Sequence, residues 1–333
     1  MKRGQTDLSL LLAVDKPAGM TSHDVVNRVR RIFGEKRVGH AGTLDPMAQG
    51  VLIVLVGPAS RLNSLLGSQR KGYEARICFG AATDTDDAEG SVIRTAPVPS
   101  QMLDPLFAQS VLERFLGPQM QMPPAYSAIK KDGVKSYAAA RKGTVLHLEP
   151  RPIKVGRAEL LRVGEEEGSL FWDVAFQVSK GTYIRSLARD IGKAAGTEAH
   201  LSSLIRTQSG RITLEDCASL DALEALRERA CLDPVKVLGL RFAYLEGRER
   251  EGVSHGMQLP SATVRLHEHT HDPLHSPCAC TAGVVESCIP PTPGEQVLML
   301  STDHVLAVYR FDGGKDAYVP ECVFSKGVSR GVI

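Results

Sequence analysis

Val38-Gly39-His40-Ala41-Gly42-Thr43-Leu44-Asp45-Pro46 leads, after a short connection, into the apolar block Val51-Leu52-Ile53-Val54-Leu55-Val56. An acid therefore sits on a glycine-flanked, proline-closed loop, just ahead of a segment that reads as a buried strand. Pro46 fixes its own φ and biases Asp45 towards an extended backbone, so the carboxylate is held by covalent geometry. Loops anchored on rigid elements are where chemistry tends to be placed. Asp-Pro is also an ordinary turn pair. The surrounding chain has to decide between the two readings.

The 333 residues suffice for one large domain or two ordinary ones. Hydrophobic residues at 43% and charged residues at 23% fit a globular protein and exclude a disordered or fibrous one. A net charge of +2 is too small to mark a nucleic-acid binder, so such a function must come from local basic faces. Lys2 and Arg3 ahead of Leu8–Val14 imitate a signal peptide. That run is short, lacks a small-residue cleavage site and passes straight into Asp15-Lys16-Pro17, so it reads as a core strand. No run approaches membrane-spanning length. Seven scattered cysteines, an odd number, argue against a disulfide framework and for a reducing compartment. The cytoplasm is expected.

Upstream of the Asp45 loop, Thr21-Ser22 offers a helix cap, and Val25, Val26, Val29, Ile32 and Phe33 fall at helical spacing before Gly34. Arg28, Arg30, Arg31, Lys36 and Arg37 give this helix and its exit a basic face leading into the loop; a solvated helix face would look the same. Downstream, Arg61–Leu66 reads as a short helical segment. Gly72–Gly80 alternates like a half-buried strand, with Tyr73, Ala75, Ile77 and Phe79 on one face. Thr83–Gly90 superficially resembles a calcium loop but lacks the glycine and distal glutamate of an EF-hand, so it reads as an acidic connection.

Pro105–Leu116 reads as an amphipathic helix, Met122–Lys130 as an extended, proline-stiffened segment, and Val134–Lys142 as an alanine-rich helix. Lys130, Lys131, Lys135, Arg141, Lys142, Arg151, Lys154 and Arg157, with Tyr126 and Tyr137 among them, form a second basic concentration. Basic residues mixed with aromatics suit RNA, whose phosphates need neutralising and whose unpaired bases stack. Arg151–Val163 and Leu170–Val178 read as strands, and Ser179–Gly192 opens a helix with Thr182 as its cap and Arg185 at the margin of the core. Ala199–Gly210 reads as a short helix with a loop, and Ala218–Arg229 as an amphipathic helix closing the first domain.

From about Gly239 short strand-like runs with polar turns predict a small β-rich domain. Within it Leu266–Cys280, with Cys288 beyond, concentrates histidine and cysteine. Zinc binding is conceivable there, but the spacing fits no standard finger, and a disordered surface insertion is the expected reading.

Four separated segments then carry a resemblance: Asp15-Lys16-Pro17-Ala18-Gly19-Met20-Thr21-Ser22, Gly39–Pro46, Arg70-Lys71-Gly72-Tyr73 and Lys180-Gly181-Thr182-Tyr183-Ile184-Arg185. In order and separation they are similar to the TruB family of bacterial tRNA pseudouridine synthases, and Thr83–Gly90, Pro123–Ala128 and Ala199-His200-Leu201 fit the same pattern. The resemblance covers roughly residues 9 to 240, and more weakly the tail, which looks like a PUA-type RNA-binding domain. Gln49 and Ile53-Val54 depart from the usual pattern just after the acid loop.

The resemblance implies isomerisation of uridine 55 in the tRNA T-loop to pseudouridine, independent of a guide RNA, with no cofactor and no metal. It implies Asp45 as nucleophile and Arg185 as the cation paired with it. Tyr73 would stack on the flipped base and could help move a proton, Leu204 would wall the pocket, and His40 would fill the space the base leaves. Tyr183 is expected on the substrate side; Lys16, with Pro17, belongs to the family's first motif near the substrate and is a support rather than a catalyst. A cytoplasmic monomer acting on the tRNA T-arm, with no membrane contact, is the expected setting.

The expected fold is α+β: a mixed, largely antiparallel central sheet of the pseudouridine synthase type with flanking helices, plus a small C-terminal β-rich domain. The expected division is 1–238 for the catalytic domain and 239–333 for the PUA-like domain, with the His/Cys-rich insertion near 261–291. Three other readings compete: a tRNA binder without chemistry, a hydrolase that releases the base, and the same reaction on another RNA or in a guide-dependent complex.

Overall fold

The computed structural model describes residues 6–67, 69–127, 129–131, 134–135, 148–269 and 283–331. The chain forms two compact units: Met1–Pro46 with Gly50–Gly67 and Ser209–Ile333, and Met47–Gln49 with Ser68–Gln208.

In the first unit, the strand Leu10–Lys16 pairs antiparallel with Gln49–Val56, Leu10 opposite Val56 and Lys16 opposite Gly50. Val38–Ala41 also pairs with Gln49–Val56, setting His40 opposite Val54. Successive side chains of a strand point to opposite faces, and here both faces are buried. Leu10, Leu12, Val14, Leu52, Val54 and Val56 meet Val25, Val26, Val29, Ile32 and Phe33 of the helix Ser22–Phe33. Leu11, Ala13, Val51, Ile53 and Leu55 meet Phe242, Leu298, Leu300, Val308 and Phe324. Burial on two sides explains why 51–56 reads as a continuous apolar run rather than an alternating one.

The helix starts at a complete capping box, Thr21 Oγ1 accepting from the Asp24 N–H while the Asp24 carboxylate accepts from the Thr21 N–H, and stops at Gly34 in the left-handed region (φ 65°).

The C-terminal part of this unit is a seven-stranded sheet ordered Leu259–Pro260, Ala317–Ser329, His304–Asp312, Gln296–Leu300, Phe242–Tyr244, His267–His269, Val284–Glu286. Phe242–Tyr244 runs parallel to Gln296–Leu300, and the other neighbours are antiparallel. One face joins the core that holds Ile53 and Leu55; the other encloses Ala243, Val297, Met299, Tyr309 and Tyr318. The described ends of the His/Cys-rich stretch are thus short paired strands. Residues 270–282, the body of the expected insertion, lie outside the described residues.

In the second unit the strands are ordered Ala199–Ser209, Lys71–Phe79, Ser169–Val178, Arg151–Glu166, Gly117–Gln121. The last four pair antiparallel, Tyr73 standing opposite Phe176. Trp172 is fully buried, sits edge-on to Phe79 at 4.6 Å and donates its indole N–H to the Met102 carbonyl at 2.9 Å. The helices Pro105–Glu113 and Ile184–Ala194 belong to this unit. The mixed, mainly antiparallel α+β architecture is the expected one.

Three local expectations fail. Ala199–Ser209 is an eleven-residue strand, not a short helix with a loop. Its backbone is engaged from afar, the Leu201 N–H donating to Asp86 O and the Ala88 N–H to Leu201 O, so tertiary pairing overrides the helix-like spacing of its leucines. Val134–Lys135 is a strand paired with Lys130–Lys131 rather than the start of a helix; the remainder of that predicted helix, with Tyr137, Arg141 and Lys142, lies outside the described residues. Thr182 does not cap the helix at 184. Tyr183 holds that position, and the Thr182 hydroxyl donates to Ser179 O at 3.0 Å. Among the described residues, no helix is long and apolar enough to cross a membrane.

Candidate active site

Asp45 is half-buried and both its neighbours are tied down. On one side, Ser22 Oγ donates to the Leu44 carbonyl at 3.0 Å and accepts from the Leu44 N–H at 2.8 Å. On the other, the Pro46 carbonyl accepts from the Gly19 N–H at 2.9 Å and from Lys16 Nζ at 3.2 Å. Lys16 is wholly buried, and its ammonium also donates to the carbonyls of Pro17, at 2.9 Å, and Met20. Three donors meet three carbonyls, which matches the hydrogen-bonding capacity of a buried ammonium. The turn itself needs Gly42, at φ 93°, a conformation L side chains rarely adopt. The motif 15–22 therefore braces the motif 39–46 through bonds to the backbone of Leu44 and Pro46. His40 lies half-buried on the strand leading into this turn.

In the second unit, Arg185 is the second residue of its helix and only 5% exposed. Its Nη1 stands 3.3 Å from the Asp87 carboxylate and donates to Thr85 O at 2.9 Å, and its Nη2 donates to Tyr126 O at 2.9 Å. Asp87 is 4% exposed and is oriented in turn by the Thr85 hydroxyl at 2.6 Å and the Glu89 N–H at 3.1 Å. One turn further along the helix, Arg189 pairs with Asp86 at 2.9 Å and donates to Met122 O at 3.0 Å. Burial raises the Asp86 carboxyl above its ordinary pKa, with the Arg189 charge opposing that shift. The acidic connection 83–90 is therefore a clamp on the Arg185 helix.

Tyr73 and Leu204 are buried, at 8% and 6% exposure, on neighbouring strands of the same unit. Lys71, two residues before Tyr73, is also buried; burial, then the nearby Arg206 charge, pushes its ammonium pKa down to about 8. Tyr183 is held through its backbone, its N–H donating to Gln121 Oε1 at 2.9 Å and its carbonyl accepting from Gln121 Nε2 at 3.0 Å.

Sequence reasoning missed Asp87, Thr85 and Gln121 as the groups that hold Arg185 and Tyr183. The one available signal was that 83–90 falls in an ordered series of motifs; nothing in its own composition marks which acid is buried. Of the sequence-selected residues, Lys16, His40 and Asp45 lie in the first unit, and Tyr73, Tyr183, Arg185 and Leu204 in the second.

Solved structures share this fold. An H/ACA RNP bound to a substrate RNA containing 2′-deoxyuridine matches with TM-score 0.65 at 23% identity, over 96% of this chain and 85% of that one. A Cbf5-Nop10-Gar1 complex matches with TM-score 0.64 at 24% identity over the same shares. An α+β frame of this kind, carrying an acid on a braced loop, defines a protein of the pseudouridine synthase fold. The model of the TruB family pseudouridylate synthase N-terminal domain matches residues 30–184, and that of the tRNA pseudouridylate synthase B C-terminal domain residues 185–238. A tRNA pseudouridine synthase B of Mycobacterium bovis is 42% identical over 262 residues, 76% of this chain and 85% of its own. One of Opitutus terrae is 45% identical over 226 residues, covering 68% and 91%. The chain belongs to the TruB family of pseudouridylate synthases.

Proposed function

We propose that this enzyme converts uridine 55 of the tRNA T-loop to pseudouridine without a guide RNA. The observation that carries the reading is family membership across residues 30–238 combined with an acid loop braced on both sides of Asp45. Uridine and pseudouridine are isomers, so no redox partner, metal or co-substrate enters the balance. The C1′–N1 bond breaks, the uracil turns while enclosed, C1′–C5 forms, and the proton on C5 is lost as N1 gains one. The target base must leave the stacked T-loop to be reached.

Asp45 acts as the nucleophile on the nucleotide, and the Arg185 guanidinium supplies the counter-charge that keeps a carboxylate ionised in a water-poor site. Asp87, Thr85 and Tyr126 hold that guanidinium in place. Tyr73 stacks on the flipped uracil and takes part in the final proton movement, Leu204 walls the pocket, and His40 occupies the gap in the T-loop. Tyr183 lies beside the substrate, and Lys16 supports the acid loop. Residues 1–238 act as the catalytic domain and 239–333 as a PUA-like domain that binds RNA. The enzyme works as a monomer in the cytoplasm.

The test is mass-spectrometric mapping of a T-arm minihelix incubated with purified protein and no guide RNA. Pseudouridine at position 55 is expected, with the base retained. Free uracil and an abasic site would point to a hydrolase, and binding without conversion to a carrier of tRNA.

A further inference from the structure

At one edge of the C-terminal sheet, Phe242–Tyr244, His267–His269 and Val284–Glu286 lie side by side. Strand alternation puts His267 and His269 on one face and Glu268 on the other. His267 is the register partner of Phe242, and both imidazoles rest on that phenyl ring. The His267 ring is nearly parallel to it at 5.8 Å, and the His269 ring is tilted at 5.5 Å. Phe242 is itself wholly buried in the core, so the two histidines form a layer over it.

Nδ1 of His267 and both ring nitrogens of His269 are closed off from solvent and have no hydrogen-bond partner among the described residues. A neutral imidazole carries an N–H on one nitrogen and a lone pair on the other, and both ends of His269 are stranded. Native proteins rarely leave buried polar atoms unsatisfied, and an ion is one of the few explanations for a cluster of them.

From this geometry we propose that His267 and His269 form a two-histidine site for a divalent metal ion of borderline softness, of which Zn²⁺ is the probe. Imidazole nitrogen suits Zn²⁺, Cu²⁺ and Ni²⁺. Two histidines one residue apart on a strand face can converge on one ion, at metal–nitrogen distances of about 2.0–2.1 Å for zinc. Glu286, the register partner of His267, shares that face but is exposed. Among the described residues no trio of histidine, cysteine or acidic side chains is assembled, so the two imidazoles are the ligands these residues supply. The ion has no part in the isomerisation. Its effect is to give one nitrogen of each ring a partner and stiffen this hairpin.

Tag-free full-length protein titrated with Zn²⁺ against a chromophoric chelator should take up one equivalent, and its melting temperature should rise with zinc, because a ligand that binds the folded state stabilises it. His267→Ala/His269→Ala should bind that equivalent at least about tenfold more weakly, the loss of both ligands removing well over 1.4 kcal/mol of binding. His267→Phe/His269→Phe keeps the ring packing on Phe242 and removes the nitrogens; it should melt like the zinc-free wild type and show no zinc-dependent rise. Uptake of unchanged affinity by either double variant would place the metal on other side chains and overturn the proposal. So would a wild-type protein that takes up no zinc.

Discussion

The Asp45 loop and the start of the Arg185 helix are both rigid, but by opposite means. Around Asp45 the braces are close in sequence and mostly uncharged acceptors: Lys16 reaches the Pro46 carbonyl across 30 residues, and Ser22 reaches Leu44 across 22. Around Arg185 they come from 59 to 100 residues away and include a buried carboxylate. Carbonyls that lose their donor forfeit hydrogen bonds, whereas a buried ion pair also leaves an uncompensated charge when either member is removed. The first region is exacting in shape. The second is exacting in charge.

The sharpest separation of chemistry from bracing comes from Asp45→Asn. It keeps the side-chain shape and touches none of the braces described on Leu44 and Pro46. Pseudouridine formation is expected to fall by at least ~10³-fold, as for loss of an essential nucleophile, with tRNA affinity and melting temperature little changed. A variant that retained activity would remove Asp45 from the mechanism. Arg185→Met comes next: it strands Asp87 in the interior and should destabilise the fold by about 3–5 kcal/mol. Below its melting temperature it should still bind tRNA but react far more slowly, and unchanged turnover would detach Arg185 from the chemistry.

On the other side of the comparison, Lys16→Met leaves three carbonyls without their ammonium. Chemical denaturation should show a loss of about 3 kcal/mol, since hydrogen bonds to a charged group are the stronger kind, together with a fall in kcat that exceeds any change in tRNA affinity. If kcat held steady, the lysine would be bracing the fold and not the acid.

Lys71 offers a pH test in the charge-dependent unit. Its folded pKa of about 8 lies below the ordinary 10.5. Between those values the unfolded chain binds a proton that the folded chain has released, so this group's contribution makes stability rise with pH across that window. Denaturation of wild type from pH 8 to 10 should show that component, at most about 3 kcal/mol, and Lys71→Met should abolish it. A slope unchanged in the variant would assign it elsewhere. The smallest effect belongs to Ser22→Ala, which removes one reciprocal pair of bonds to Leu44 and should cost about 1 kcal/mol, measurable as a shift in denaturation midpoint.

Much of the local architecture is legible in the sequence. The capping signal at Thr21, the Gly34 stop, the buried 51–56 strand and the alternating Tyr73 strand all appear as read. The acid loop and its brace are likewise contiguous motifs, 15–22 and 39–46. What misled was the stretch 199–209, where leucines at helical spacing lie in a strand because distant backbone groups from 86 and 88 bond to it. The tail's β character was visible, but not that Phe242 and Leu298 pack into the same core as Ile53.

The sequence by itself determined the short-range elements and the family, because periodicity, caps and ordered motifs act over a few residues. Only the tertiary structure decided which acid of 83–90 holds Arg185, that the Lys16 ammonium donates to three carbonyls, and that His267 and His269 strand their nitrogens over Phe242. Those facts depend on burial, and burial is set by chain segments dozens of residues apart whose desolvated groups must find partners or go without.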